Sequence, residues 1–221
     1  MGGTNSTGST VWGMAVTLCE LTVADEPAAW RDCGFAVEGN ASVFGGVGIR
    51  FSSKESRGLI GWALRGVGST DLDGLPTTVV NESPATNAGE HPNGITAIDH
   101  VVAISSDLDR TAAALEAAGL DLRRVREEPT PAGAPRQAFF RLGATILEVV
   151  QEPREVTEKQ GGDRPAFFWG LAFLAPDLER TVAYLGEERV SEIRDAVQPG
   201  RQIATLRREA GLSVPMALMS P

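Results

Sequence analysis

Two ionisable side chains interrupt short apolar stretches of this chain. His100 stands in IDHVV and Glu148 in ILEVV. An imidazole titrates near neutrality, so it can transfer protons or bind a metal ion. A carboxylate inside an apolar strand is costly to bury alone, so Glu148 needs a partner: a metal ion, His100 or Arg141. His100 is either such a catalytic or metal-binding group or a core histidine hydrogen-bonded to Asp99 or Glu148.

A predicted hairpin gives Glu148 its neighbours. Gly143-Ala144 separates RQAFFRL from TILEVVQ and predicts a two-residue turn, which pairs 139 with 148. Because side chains alternate along a strand, one face of the hairpin combines polar and apolar groups. Its residues are Gln137, Phe139, Arg141, Ile146, Glu148 and Val150. An apolar wall with a few convergent polar groups is typical of a small-molecule pocket.

The elements that must position these residues are repeated. IDHVVAISSDLDRT (98–111) resembles FWGLAFLAPDLERT (168–181), and each ends on Asp-Leu-acidic-Arg-Thr. The first copy predicts a strand, a helix capped by Asp107, a strand at 120–126 and the hairpin, in the order β-α-β-β-β. The second copy predicts strand 168–175, helix 177–185, strand 189–197 and two further strands. Pro215 predicts that the last of these is irregular or at an edge.

A fainter copy opens the chain, where WGMA (12–15) resembles WGLA (169–172), and strands at 47–52 and 59–67 would complete it. Trp12 and Trp169, at strand starts, are expected to anchor the core. The predicted organisation is a disordered tail (1–10), an N-terminal module (11–82), an exposed linker (83–94) and a domain of two modules (95–152 and 166–221).

At His100 and Glu148 the chain resembles the vicinal oxygen chelate superfamily, also called the glyoxalase/bleomycin-resistance/extradiol-dioxygenase fold. The resemblance covers most of 95–221 and, more weakly, 11–80. It implies an α+β fold whose βαβββ modules form curved mixed sheets around a pocket. Metal-dependent members carry a His on the first strand and a Glu or another ligand on the last strand of each module. The resemblance therefore implies His100 and Glu148 as ligands of zinc, nickel, iron or manganese.

The other modules depart from that pattern. Gly13 and Gly170 stand at the histidine position, and aligning Gly143 with Gly211 places Met216 opposite Glu148. A catalytic divalent ion needs three or four protein ligands, and the remaining histidine, His91, lies in the predicted linker. The expectation is one divalent ion at an incomplete site, or none.

Three functions follow as alternatives. The chain could be a glyoxalase-like metal-dependent lyase or isomerase, or a dioxygenase. It could be a ligand-sequestering protein of the drug-resistance type, in which the acidic charge would suit a cationic ligand. It could be a metal-free degenerate member with a structural or partner-binding role. The convergent face at 137–150 favours small-molecule binding, and a His–Glu pair without metal could abstract a proton next to a carbonyl.

Composition narrows the class of partner. The chain has 29 acidic and 20 basic side chains and a net charge of −9, which disfavours nucleic-acid binding. No apolar stretch approaches the roughly 20 residues of a membrane span. Cys19 and Cys33 are too few for a disulfide framework, and MGGTNSTGST lacks the pattern of a secretion signal, so we expect a cytoplasmic protein. An odd number of modules is compatible with a homodimer.

The arginines are expected to be structural or solvated. Arg136 and Arg201 follow matching Pro-containing turns, where a structural role is favoured over contact with an anionic substrate. Arg123, Arg124 and Arg126 alternate with apolar residues and indicate the solvated side of a strand.

Overall fold

The computed structural model describes residues 15–52, 56–81, 89–131 and 133–221, so the predicted tail, Trp12 and Gly13 lie outside the described residues. The fold is α+β, and its N-terminal part is a five-stranded sheet of order β2-β3-β1-β4-β5. The elements are β1 (Thr17–Val23), α1 (Pro27–Asp32), β2 (Ala41–Phe44), β3 (Val47–Phe51), β4 (Leu59–Arg65) and β5 (Thr77–Val79).

The remaining strands form an eight-stranded sheet of order β11-β12-β13-β10-β6-β9-β8-β7. Its first unit contains β6 (Ala97–Ser105), α2 (Leu108–Ala117), β7 (Asp121–Arg126), β8 (Gln137–Leu142) and β9 (Thr145–Gln151). After α3 (Arg154–Lys159) the second unit contains β10 (Phe167–Leu174), α4 (Leu178–Leu185), β11 (Arg194–Asp195), β12 (Gln202–Thr205) and β13 (Met216–Met219). β6 is parallel to β9, β10 is parallel to β13, and β6 and β10 join the units as antiparallel neighbours. The predicted β-α-β-β-β order is confirmed.

The repeated Asp-Leu-acidic-Arg-Thr motif is a helix start. The carboxylates of Asp107 and Asp177 each accept a hydrogen bond at 3.0 Å, from the backbone N–H of Arg110 and Arg180. Such caps satisfy N–H groups that have no partner within the helix. Thr111 and Thr181 point inwards and are fully buried. The motif is therefore explained by the packing of α2 and α4 on their strands.

The predicted hairpin register is confirmed. Leu142 pairs with Thr145 across the turn, and Phe139 faces Glu148. Gly143 adopts φ 74°, a left-handed conformation that glycine reaches without strain. Local turn chemistry was sufficient to fix these neighbours.

The second unit is more irregular than predicted. The strand expected at 189–197 is reduced to β11 and an isolated bridge at Val190, so that prediction was too long. Pro215 predicted a last strand that is irregular or at an edge, and the edge alternative was wrong, because β13 lies between β10 and β12. Pro215 directly precedes Met216, the first residue of β13, and its carbonyl accepts a hydrogen bond from Leu171 N–H at 3.0 Å. Its missing N–H therefore removes no hydrogen bond from β13 itself.

The prediction that 59–67 completes the first module was wrong. β1 and β3 are parallel, so they correspond to β6 and β9 of the first unit. β4 runs antiparallel to β1, so it corresponds to β10, which runs antiparallel to β6. β4 is also parallel to β5, and Trp62 N–H donates to the carbonyl of Pro76 at 3.1 Å, as Leu171 does to Pro215. β4 and β5 thus form a truncated partner unit within the chain. The homodimer, inferred from an odd module count, remains a prediction.

The two sheets pack through one aromatic cluster. Phe173 of β10 is fully buried, with its ring centroid 5.0–6.2 Å from those of Phe44, Phe35 and Trp30. The indole N–H of Trp30 donates to Asp25 at 3.0 Å. Burying these rings together gives both sheets a common core.

Two residues in the described part of the predicted linker, His91 and Asn93, are buried, whereas Gly89, Glu90 and Pro92 are exposed as expected. His91 stacks on Phe44 at 4.2 Å between ring centroids. Its Nδ1 accepts from Ala36 N–H at 3.0 Å, and its Nε2 lies 3.0 Å from the Val43 carbonyl. Asn93 is also buried. These contacts attach the segment to the N-terminal part at His91 and Asn93, whereas 83–88 lie outside the described residues.

Within the described ranges, no helix is both long and apolar enough to cross a membrane.

Candidate functional site

A β-bulge brings Asp99 and His100 together. Neighbours on a regular strand point to opposite faces. Towards β10, however, Ile98 pairs with Phe173 and His100 with Ala172, which leaves Asp99 as an extra residue. The bulge turns both side chains to one face, where His100 Nδ1 and Asp99 Oδ2 are 2.8 Å apart.

These two residues belong to a longer polar network. His100 Nε2 lies 3.3 Å from Oε2 of Glu148, and Oε1 of Glu148 accepts a hydrogen bond from the amide of Gln137. At the other end, Arg201 donates to both carboxylate oxygens of Asp99, at 2.7 and 3.3 Å. The order of contacts is therefore Arg201, Asp99, His100, Glu148, Gln137.

Burial and pairing move the two carboxyl groups in opposite directions. Burial alone raises the pKa of Asp99, but the hydrogen bonds from His100 and Arg201 outweigh it and lower that pKa to about 2. Burial raises the pKa of Glu148, and the nearby His100 and Gln137 offset only part of this effect. An ionised Asp99 requires a proton on Nδ1 of His100. Nε2 of His100 then faces the carboxyl of Glu148.

The network lies on the wall of a cavity of about 930 Å³ on one face of the eight-stranded sheet. Apolar side chains from both units surround it, among them Phe139, Ile146, Ile203 and Met219. The turn between β2 and β3, at Phe44 and Gly45, adds a wall from the N-terminal sheet. The cavity therefore presents an acid–base network to an otherwise largely apolar space.

The structure brings most of the predicted site residues to this cavity. His100, Glu148, Gln137, Phe139 and Ile146 are part of its lining. Arg141 and Val150 share the face of the hairpin but do not line the cavity. The guanidinium of Arg141 is exposed and reaches the Gly143 carbonyl at 3.4 Å, so the partners of Glu148 are His100 and Gln137 instead.

Trp169 does not anchor the core as predicted. Its side chain is 50% exposed. Phe168 pairs with Ala103 and Gly170 with Val102, which leaves Trp169 as the extra residue of a second bulge. A residue at a bulge does not follow the strand's alternation, so its burial could not be inferred from spacing.

Sequence reasoning missed three arginines of this cavity. Arg201 reaches Asp99 from the start of β12, and Arg124 and Arg126 of β7 also line the cavity. Arg124 faces Phe139 and Arg126 faces Gln137 across the sheet, after a register shift at Arg123. Arg123 and Arg124 are exposed, as expected of the solvated side of a strand, whereas Arg126 is half-buried, which corrects its expected exposure. Counting residue pairs outwards from the β8–β9 hairpin to β7 would have suggested these neighbours. The register shift at Arg123, however, leaves no signal in the sequence.

The residues present do not fit a divalent metal ion. Val102 and Ala172 occupy the same position in the two units, and they pair with Glu148 and Ala217. The equivalent of Glu148 is therefore Ala217, and not Met216 as predicted. A Cβ on Gly170 would lie 2.6 Å from the Pro215 carbonyl oxygen. The second unit therefore supplies no ligand.

The first unit does not supply the missing metal ligands. Both ring nitrogens of His100 already face carboxylates, and His91 is held elsewhere by Phe44 and two backbone groups. In the part of the chain that the structure describes, no three His, Cys, Asp or Glu side chains are grouped to hold a metal ion. One imidazole with one carboxylate is short of the three protein ligands of a catalytic site.

Comparison with known proteins finds similar solved structures but no matching family. No protein-family model matches the chain. No curated protein matches it either. Methylmalonyl-CoA epimerase from Mycobacterium tuberculosis is a similar structure, with 18% identity over 58% of this chain and 89% of that one and a TM-score of 0.47. A Streptomyces coelicolor methylmalonyl-CoA epimerase variant in complex with 2-nitronate-propionyl-CoA has 22% identity over 57% and 94%, with a TM-score of 0.46.

A more extensive match includes both sheets. A xylose isomerase-like TIM barrel/4-hydroxyphenylpyruvate dioxygenase fusion protein aligns with 94% of this chain at 13% identity and a TM-score of 0.62. The chain spans 49% of the length of that fusion protein. Paired β-α-β-β-β units around a cavity, together with this match, show a glyoxalase-like fold, as the resemblance implied.

Proposed function

We propose that the protein binds a small organic molecule in the cavity of the eight-stranded sheet, with its polar group at His100 and Glu148. The observation that carries this proposal is the convergence of the Asp99–His100–Glu148 network on an apolar-walled cavity of about 930 Å³. Small-molecule sites commonly have volumes of about 300–1,000 Å³ and few polar groups. The cavity volume falls within that range.

A cationic ligand is less well supported than the net charge suggested. The cavity lining contains Asp99, Glu128 and Glu148, but it also contains Arg124, Arg126 and Arg201. These charges balance locally. The electrostatics of the site therefore give no preference for the cation expected from the whole chain.

Proton transfer is a second candidate, favoured by the orientation of His100. With Nδ1 held by Asp99, Nε2 and the carboxyl of Glu148 can donate or accept a proton at one point of the cavity wall. A bound molecule with an acidic C–H next to a carbonyl could lose that proton there and regain it. Loss and return of that proton is an isomerase reaction, and it uses only residues of the chain.

The binding proposal is tested by filling the cavity. A panel of small aromatic and aliphatic compounds is screened for a rise in melting temperature. A ligand at one hundred times its Kd adds about 2.7 kcal/mol of stability, or about 5–10 °C for a chain of this size. Ile146→Trp should abolish the shift, whereas Val150→Trp, on the same face of β9 outside the cavity, should retain it. A shift that survives Ile146→Trp contradicts binding at this site.

The catalytic candidate needs a separate measurement. A ligand found in that screen is incubated with the protein in D₂O, and exchange of its C–H groups is followed by NMR. Proton transfer predicts exchange that falls at least about a hundredfold in Glu148→Gln and His100→Gln, since general acid–base catalysis contributes about 10²–10⁴-fold. Binding without exchange leaves sequestration as the function.

Two further proposals concern the whole protein. A cytoplasmic location and a homodimer are retained as proposals from the sequence. Sedimentation of the purified chain tests the dimer.

A further inference from the structure

Arg124 and Arg126 are placed on the cavity without a full partner. Arg126 is the more enclosed, with its side chain only 22% exposed. Its ion-pair partner is Glu128 at 3.9 Å, and its charge also acts on the carboxyl of Glu148. Among the residues that the structure describes, Arg124 has no hydrogen-bond or ion-pair partner. Neighbouring arginines differ: Arg136 is paired with Glu127 and Asp109.

The register fixes where the two guanidinium groups stand relative to His100 and Glu148. Arg124 faces Phe139 of β8, and Phe139 faces Glu148 of β9, so the three side chains form a row across the sheet. Arg126 faces Gln137, whose amide bonds Glu148. Two strand spacings separate β7 from β9, or roughly 9–10 Å between backbones. The arginines therefore lie beside the acid–base network without touching it.

A guanidinium offers a planar set of donors that matches a carboxylate. A second guanidinium beside the first strengthens the attraction for a carboxylate. Phe139, which lies between Arg124 and Glu148, provides apolar contact for the body of a ligand. Three carboxylates also line this cavity, at Asp99, Glu128 and Glu148. Their repulsion favours a singly charged carboxylate over a doubly charged phosphate.

We propose that Arg124 and Arg126 form an anion-binding subsite, so that the ligand is an organic acid whose carboxylate lies at β7 and whose opposite polar group meets His100 and Glu148. This inference rests on the proposed function, because the cavity must first accept a ligand. It replaces the cationic ligand suggested by the sequence with an anionic one.

Matched probes test the subsite. Binding of arylalkanoic acids of increasing length, from benzoate to 4-phenylbutanoate, is measured by calorimetry beside the corresponding amides and arylalkyl phosphates at fixed ionic strength. The acids should bind wild type at least about tenfold more tightly than their amides. The double variant Arg124→Gln/Arg126→Gln should bind an acid and its amide equally. Arg123→Gln, which removes one positive charge from β7 outside the cavity lining, should leave the preference unchanged.

The outcomes separate the two proposals. Acids and amides that bind equally in wild type, and are both excluded by Ile146→Trp, contradict the subsite but support the cavity as a binding site. A preference for acids that persists in the double variant also overturns the subsite. Tighter binding of the phosphates overturns the carboxylate class. If no probe binds, or if Ile146→Trp has no effect on binding, the proposed function is contradicted and the subsite with it.

Discussion

Asp99 and His100 interact because the bulge in β6 turns both side chains into the same cavity. The imidazole is thereby held through Nδ1, and its Nε2 is directed towards Glu148. A regular strand would have separated Asp99 from the network. The orientation of the histidine thus depends on one extra residue in the pairing of β6 with β10.

We expect Asp99→Asn to destabilise the protein by about 2 kcal/mol at pH 7. The pKa of Asp99 is lowered from 3.8 to about 2, and lowering a pKa by one pH unit on folding stabilises the folded state by about 1.4 kcal/mol. Because the folded-state pKa is depressed, this stability is present above pH 3.8 and is lost as the pH falls through 2. Urea unfolding of both proteins between pH 2 and 7 measures the difference. A gap that does not narrow towards pH 2 contradicts the charged role of Asp99.

Glu148 should have the opposite pH dependence. Burial raises its pKa, so the folded protein binds this proton more readily than the unfolded chain, and the group's contribution decreases as the pH rises above 4.5. Glu148→Gln has no ionisable carboxyl at this position, so the variant does not lose stability in this way as the pH rises. The melting temperature of the variant relative to wild type should therefore rise between pH 4.5 and 8. A constant difference over this range would show that the carboxyl has an ordinary pKa.

At the scale of elements, the close approach of β13 explains Gly170. The site has no room for a Cβ, which would lie 2.6 Å from the Pro215 carbonyl oxygen. The corresponding Gly61 of β4 would place a Cβ 3.4 Å from the Pro76 carbonyl oxygen, an ordinary contact. In this packing, position 170 has no room for a second histidine.

This comparison gives a matched pair of variants. Gly170→Ala should destabilise the protein by about 1–3 kcal/mol, the usual cost of overpacking, because Pro215 must move. Gly61→Ala should cost less than about 0.5 kcal/mol, as for other substitutions that create no clash. Chemical denaturation of the two variants measures both values. Equal losses would mean that the approach of β13 does not constrain position 170.

His91 connects the segment 89–94 to β2, and its protonation should be suppressed. Burial lowers its pKa below 6.5, and its Nδ1 must stay unprotonated to accept from Ala36 N–H. Because the unfolded chain binds this proton more readily, the contribution of His91 to stability should decrease as the pH falls below 6.5. NMR titration of the ring reports its pKa directly. Half-protonation at pH 6.5 or above would contradict the neutral, packed ring.

For the whole molecule, the shared aromatic cluster predicts that the two sheets unfold together. Phe173 belongs to the eight-stranded sheet but packs against Trp30, Phe35 and Phe44 of the N-terminal part. Phe173→Ala should cost about 3–5 kcal/mol, as for other fully buried phenylalanines. The variant should still show a single transition, followed by tryptophan fluorescence and circular dichroism. Two separate transitions would show that the sheets are independent. The predicted boundary at 95 remains a proposal about sequence modules.

The sequence alone determined the features that depend on near neighbours. The caps at Asp107 and Asp177, the Gly143-Ala144 turn and the pairing of 139 with 148 follow from short-range hydrogen bonding and backbone preference. The repeated Asp-Leu-acidic-Arg-Thr motif reflects the same short-range hydrogen bonding at a helix start. The fold class and the face that carries Glu148 could therefore be predicted from the chain by itself.

Only the tertiary structure decided which of these features become a site. Four features depend on strands that are far apart in the chain. They are the bulge at Asp99, the contact of Arg201 with Asp99, the cavity-facing side of β7 and the pairing of β4 with β1. Such pairings are selected by the packing of the whole core, because a shift of one residue exchanges the faces of a strand. The residue types at 100 and 148 were evident from the sequence, but their partners were set by this long-range register.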